Sequence, residues 1–211
     1  MTMVQAPESI LATVLATGLA RAGDALGALS GHEVTIANPS VAACSPAEVI
    51  DSAGGPDAVV VGVYVGITGS LTGHALLLLP PEGARRLAGI LLEGMRDPDA
   101  AQGGPDDGFE LDPLEMSALQ EVGNVTISAC LNELGRFFPI PVHPTIPQAI
   151  VELAGAILDA VLLDLVAESD LLLAARTTFT INGDHVDGTI LILPDRRSLT
   201  ALAVAIAAVG L

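Results

Sequence analysis

The sequence predicts an α+β fold built from a duplicated unit: a pseudo-twofold molecule with one continuous, antiparallel-rich sheet and helices packed on its face. Three observations predict it. The motif Ile36-Ala37-Asn38-Pro39-Ser40-Val41 is echoed half a chain later by Pro141-Val142-His143-Pro144-Thr145-Ile146. The turn Thr68-Gly69-Ser70-Leu71-Thr72-Gly73 precedes the apolar run Ala75 to Leu79 and Pro80, as Asn182-Gly183-Asp184-His185-Val186-Asp187-Gly188 precedes Thr189 to Leu193 and Pro194. Each reads as a β-hairpin closed by a Pro that starts a helix. Finally, 51% of the 211 residues are hydrophobic and only 16% charged, which excludes disorder and supplies a large core. Half the chain alone would leave a bare sheet edge over a small core, so residues 1–211 are read as one domain of two repeats, about 1–105 and about 106–211.

Taken in order, the start MTMVQAPESILATVLATGLARAG imitates an export signal, but Glu8 and no basic residue precedes its apolar run, so it reads as a helix. Strands are expected at Ile36 to Val41 and, entering the first hairpin, at Ala58 to Ile67. Pro81 to Met95 has the apolar spacing of a helix with one buried face. Arg96 to Asp112 (RDPDAAQGGPDDGFELD) is the clearest loop, and its Asp106, Asp107 and Glu110 read as a solvated run. In the second half follow a helix from Asp112 to Arg136 ending at Gly135, a strand at Leu171 to Ile181, and a helix from Asp195 to Val209.

Charge excludes several functions. The chain has 25 Asp and Glu against 8 basic residues, a net charge of −17, and every basic residue is Arg, scattered or at most paired. No patch can neutralise a run of phosphates, so nucleic acid is excluded as a partner. Without Lys there is neither Schiff-base chemistry nor a Walker-type phosphate loop. Four Phe, one Tyr and no Trp leave little to stack a base or sugar on. Cys44 and Cys130 sit among small apolar residues and read as free buried thiols in a reducing compartment. Asp159 and Asp164 interrupt the longest apolar candidate for a membrane span, so a soluble, cytoplasmic protein without membrane contact is expected. The acidity also fits a salt-adapted, halophile-like surface, while Arg without Lys fits equally a GC-rich genome.

The chemistry concentrates in DPLEMSALQEVGNVTISACLNELGR, from Asp112 to Arg136. Asp112 suits an N-cap, Pro113 the first helical position and Glu115 the positive end of the helix dipole. Helical spacing puts Ser117, Glu121, Asn124 and Ser128 on one stripe, while Leu114, Leu119, Val122, Val125, Ile127, Cys130, Leu131 and Leu134 crowd the rest. Such a stripe can equally be the wet face of an amphipathic helix. Gly123 argues for more. A mid-helix Gly costs about 1 kcal/mol against Ala, and beside Asn124 it would let another backbone approach closely.

Ser117-x-x-x-Glu121-x-x-Asn124 resembles the active-site helix of the CheC/CheX/FliY chemotaxis phosphatases, whose pattern is Asp or Ser, three residues, Glu, two residues, Asn. The strand VHPTI, the hairpin VVVGVYVGITGSLTGHALLLLP and the closing FTINGDHVDGTILILPDRRSLTALA also look like that family's layout, so the resemblance spans nearly the whole chain. It implies hydrolysis of the aspartyl phosphate on a CheY-type response regulator. By the matching positions Asn124 would orient the water, Glu121 would pair with a Lys of the regulator, and Ser117 would touch the edge of the contact. The resemblance implies no cofactor of the chain's own, with Mg²⁺ supplied by the response regulator, and an association with the receptor deamidase CheD. Two-site members carry Glu and Asn in both helices. The proline offset of the repeat places Ala12, Ala16 and Leu19 opposite Ser117, Glu121 and Asn124, with Gly18 opposite Gly123, so one active face is expected. A metal loop at Asp184-His185-Val186-Asp187 is the weaker reading of an ordinary hairpin turn. The alternative function is a non-catalytic binding module that docks CheD or a receiver.

Overall fold

The computed structural model describes residues 7–93, 109–164 and 172–209. Helix α1 (Pro7–Ser30) leads to strand β1 (Val34–Cys44), the short helix α2 (Pro46–Ser52), strands β2 (Val59–Gly69) and β3 (Gly73–Leu79), and helix α3 (Pro81–Leu91). The second half repeats the order. Helix α4 (Pro113–Phe137) precedes a strand broken into β4 (Val142–Pro144) and β5 (Gln148–Leu153), then helix α5 (Ala154–Asp164), strands β6 (Leu172–Ile181) and β7 (Asp184–Pro194), and helix α6 (Arg196–Val209).

All strands join one sheet in the order β1-β6-β7-β3-β2-β4, with β5 also on β2, and every pairing is antiparallel. Exchanging first-half strands for second-half ones reads the same order backwards. The α+β class and the continuous antiparallel sheet expected from the two hairpins are therefore observed. The loop expected from Arg96, with Asp106, Asp107 and the boundary near 105/106, lies outside the described residues up to residue 108. At its end the Arg85 guanidinium sits 4.7 Å over the Phe109 ring and donates to the Glu110 carbonyl at 2.6 Å.

Two helices were not read from the sequence, α2 and α5. They cover the face of the sheet opposite α1, α3, α4 and α6, so apolar residues fill both faces. Ser45-Pro46-Ala47-Glu48 at the start of α2 is a capping box, with the Ser45 hydroxyl accepting from the Glu48 amide and the Glu48 carboxylate from the Ser45 amide. That pattern was visible in the sequence. The α5 segment has no such cap; it leaves β5 directly and is apolar on most sides.

On the main face α1 and α4 pack against each other and run antiparallel. A Cβ on Gly18 would lie 2.8 Å from the Cys130 Cα, while Leu26 and Leu29 share a groove with Ala118 and Val122. Midway between these contacts, Ala22 and Thr126 are both fully buried. Helix α1 is long and apolar enough to cross a membrane, yet half of that stretch is buried within the fold. Neither cysteine is in a disulfide, but only Cys130 is buried as expected, its thiol pushed up to about 12 by that burial, while Cys44 at the end of β1 is half-buried.

The Thr126 hydroxyl has no hydrogen-bond partner among the described residues. A buried unsatisfied hydroxyl costs about 1–3 kcal/mol, and Val has nearly its shape. Thr126→Val is thus expected to stabilise the fold by about 1 kcal/mol, raising Tm by roughly 2–4 °C in a chain of this size. A lower Tm in a thermal melt would show that the hydroxyl is satisfied in solution.

Candidate functional site

Helix α4 is built as its sequence indicated. The Asp112 carboxylate accepts from the Leu114 and Glu115 amides, both at 2.8 Å, and the Glu115 carboxylate accepts from the Asp112 amide at 2.9 Å. This reciprocal cap fixes where the helix begins. The helix continues to Phe137, two residues past the expected stop. Gly135 serves instead as the place where the chain folds back, its carbonyl accepting from the Ile140 amide at 3.0 Å. Leu119, Val122, Ile127, Cys130 and Leu131 bury one side of the helix in the main core.

The opposite side carries the expected stripe. Ser117 and Glu121 are exposed and Asn124 is half-buried. The Asn124 Nδ2 donates to Glu121 Oε2 at 3.4 Å, and the Ser128 hydroxyl donates to Asn124 Oδ1 at 3.4 Å. Both contacts are at the long limit of a hydrogen bond, so they steer the carboxamide without saturating it. The amide keeps a further hydrogen and a further lone pair for an incoming group. Ser128 was placed on the stripe by its spacing, but its hold on Asn124 emerges only from the structure.

Gly123 faces the other way, and the close approach it permits is not that of another backbone. A Cβ there would lie 2.4 Å from Val63 Cγ1 and 2.5 Å from Val63 Cβ, on the buried face of β2. The glycine therefore seats α4 on the sheet immediately behind Asn124, which is a packing constraint that also sets the depth of the site.

The first-half counterparts sit deeper in the fold than the residues of the site. At the offset of the proline echo, Ile10, Val14, Gly18, Ala22 and Leu26 are buried in step with Glu115, Leu119, Gly123, Ile127 and Leu131; at an offset one residue shorter, Leu11, Leu15, Gly18, Leu19, Ala22, Gly23 and Leu26 are buried in step with Glu115, Leu119, Val122, Gly123, Thr126, Ile127 and Cys130. In that phase the exposed Thr13, Thr17 and Ala20 match Ser117, Glu121 and Asn124. Ala12 and Ala16 are half-buried, and Leu19 is fully buried at 0% exposure, so all three lie deeper than Ser117, Glu121 and Asn124. Neither phase puts a carboxylate or carboxamide on α1 in place of Glu121 or Asn124.

Elsewhere, the Thr180 hydroxyl and His185 Nδ1 are 2.9 Å apart, and the Asp187 carboxylate accepts from the Thr178 hydroxyl at 2.8 Å. These are cross-strand pairs of a hairpin. Among the described residues no three His, Cys, Asp or Glu side chains stand together as a metal site would need.

No protein-family model matches the chain. A protein named CheY-P phosphatase CheC, from Bacillus subtilis (strain 168), is 24% identical over 204 residues, covering 94% of this chain and 93% of its own. The crystal structure of FliY from Thermotoga maritima superposes with a TM-score of 0.72 at 15% identity, over 98% of this chain and 99% of that one. The FliM middle domain from H. pylori superposes with a TM-score of 0.63 at 11% identity, over 94% and 97%.

Proposed function

We propose that this chain, related in sequence to CheC and in fold to FliY and thus to the CheC/CheX/FliY family, is a phosphatase that hydrolyses the aspartyl phosphate of a CheY-type receiver. The observation that carries the reading is the Glu121–Asn124 pair on the outer side of α4, loosely joined at 3.4 Å and open to solvent. Phosphoryl transfer asks a catalyst mainly for positioning and charge stabilisation. A carboxamide does both, donating to a phosphoryl oxygen through Nδ2 while Oδ1 holds a water in line with the phosphorus. The water's oxygen bonds to phosphorus, the P–O bond to the receiver's carboxylate breaks, the water's proton passes to a phosphoryl oxygen so that dihydrogen phosphate departs, and the carboxylate leaves as the anion without needing an acid. Glu121 would pair with an ammonium of the receiver and so place Asn124, and Ser117 would meet the rim of the contact. Mg²⁺ would come with the receiver.

On this reading the second half, about 106–211, is the active one, about 1–105 is its degenerate counterpart, and the protein works in the cytoplasm, where CheD is a further partner. The alternative of a non-catalytic module docking CheD or a receiver draws on the fold shared with FliM, at a TM-score of 0.63, and on the α1 face without the pair. The test follows the phosphoryl group on the cognate receiver, with Mg²⁺ and at high salt, with and without this protein. Phosphatase action predicts faster decay in proportion to added protein. Unchanged decay with folded protein that binds the receiver selects the docking module.

A further inference from the structure

A groove of about 100 Å³ opens directly beside Glu121, lined by Leu26 and Leu29 of α1, Leu91 of α3, and Ala118 and Val122 of α4. Leu29 is 61% exposed at its edge, and Leu114, 46% exposed, lies one turn from Ser117 on the outer stripe of α4. Apolar surface thus flanks the polar stripe on two sides. Further along α4, Glu133 is a buried carboxylate paired with Arg21 and Arg136. The α4 stripe carries the Glu121–Asn124 pair beside this groove, whereas α1 offers no carboxylate or carboxamide in step with that pair, and a second, smaller apolar pocket lies among Leu11 and Leu15 of α1, Leu131 and Leu134 of α4 and Leu202 of α6.

No basic side chain lines the groove, and its one charged group is the Glu121 carboxylate. Glu93, exposed just past α3 and two residues from Leu91, adds further negative charge. A complementary partner offers a cation to Glu121 and an apolar side chain beside it. Resting on the phosphatase reading, we propose that the groove is a specificity pocket that receives a large apolar side chain of the receiver, next to the ammonium that meets Glu121. Leu29 and Leu91 would then discriminate among receivers, while Asn124 performs the chemistry on any receiver that docks.

The experiment measures the Kd of the receiver, carrying a stable phosphoryl mimic and Mg²⁺, for wild type and for Leu29→Ser, Leu29→Met and, on the far side of the sheet, Leu163→Ser. Leu29 is exposed, so its replacement should leave the fold intact. Burying most of a leucine side chain at an interface corresponds to about a tenfold change in Kd. The expected result is an approximately tenfold weaker Leu29→Ser, near-normal Leu29→Met and unchanged Leu163→Ser. Where turnover is measurable, KM should rise by the same factor with kcat unaltered. An unchanged Kd for Leu29→Ser overturns the pocket, as does Leu29→Ser dispersing a dimer of this chain with no effect on the receiver, which would assign the groove to a second copy. Normal binding with no turnover in the wild type instead overturns the phosphatase reading and leaves the pocket standing.

Discussion

Asn124→Ala is expected to lower the catalysed rate of receiver dephosphorylation by at least about a hundredfold while changing Kd by no more than a few-fold. Removing one preorganised donor from a site that stabilises developing charge typically costs a factor of about 10²–10³ in kcat. Stability should not confuse the result. Asn124 is half-buried, its two side-chain contacts are 3.4 Å long, and Ala is the better helix former. Asn124→Asp separates shape from chemistry. It keeps the size but loses the donor and sets a second carboxylate beside Glu121, facing a phosphoryl group, so both binding and turnover should fall. Glu121→Gln should act chiefly on KM, because the carboxylate's role is to meet the partner's cation. Retained turnover in Asn124→Ala would remove the chemistry from α4 altogether.

The two levels of structure differed in how openly the sequence displayed them. Local signals were legible. The Asp112-Pro113-x-Glu115 start of α4, the hairpin turns and the stripe from Ser117 to Ser128 follow from capping, φ/ψ preference and helical period, each contained within a few residues. Long-range matches were not. Nothing near Gly123 indicates that Val63, sixty positions earlier on β2, is the group it makes room for. The depth of the α1 counterparts was equally hidden, because an echo of prolines cannot report how far Ala12, Ala16 and Leu19 sink into the core. The α5 helix escaped because a short apolar run has the same appearance in a strand. The groove beside Glu121 was illegible in principle, since its walls come from α1, α3 and α4.

Gly123→Ala is expected to be the most damaging small substitution near the site, destabilising the protein by about 2 kcal/mol or more. Helix propensity alone would favour Ala by about 1 kcal/mol. Against that stands a methyl placed 2.4 Å and 2.5 Å from two atoms of Val63, which is fully buried and β-branched, and cannot turn aside as the end of a long side chain could. Either α4 lifts from the sheet or β2 bends, and overpacking of this kind typically costs about 1–3 kcal/mol. The expected fall in Tm is roughly 4–8 °C. Val63→Ala in the Gly123→Ala background removes the Cγ1 contact but leaves Cβ at 2.5 Å, so it should restore only part of the loss. Turnover should fall with stability, because a lifted α4 carries Asn124 with it, and a misplacement of about 1 Å can cost a factor of roughly 10² in rate. An unchanged Tm for Gly123→Ala would mean that α4 rests further from β2 in solution, and that the depth of Asn124 is set by some other contact.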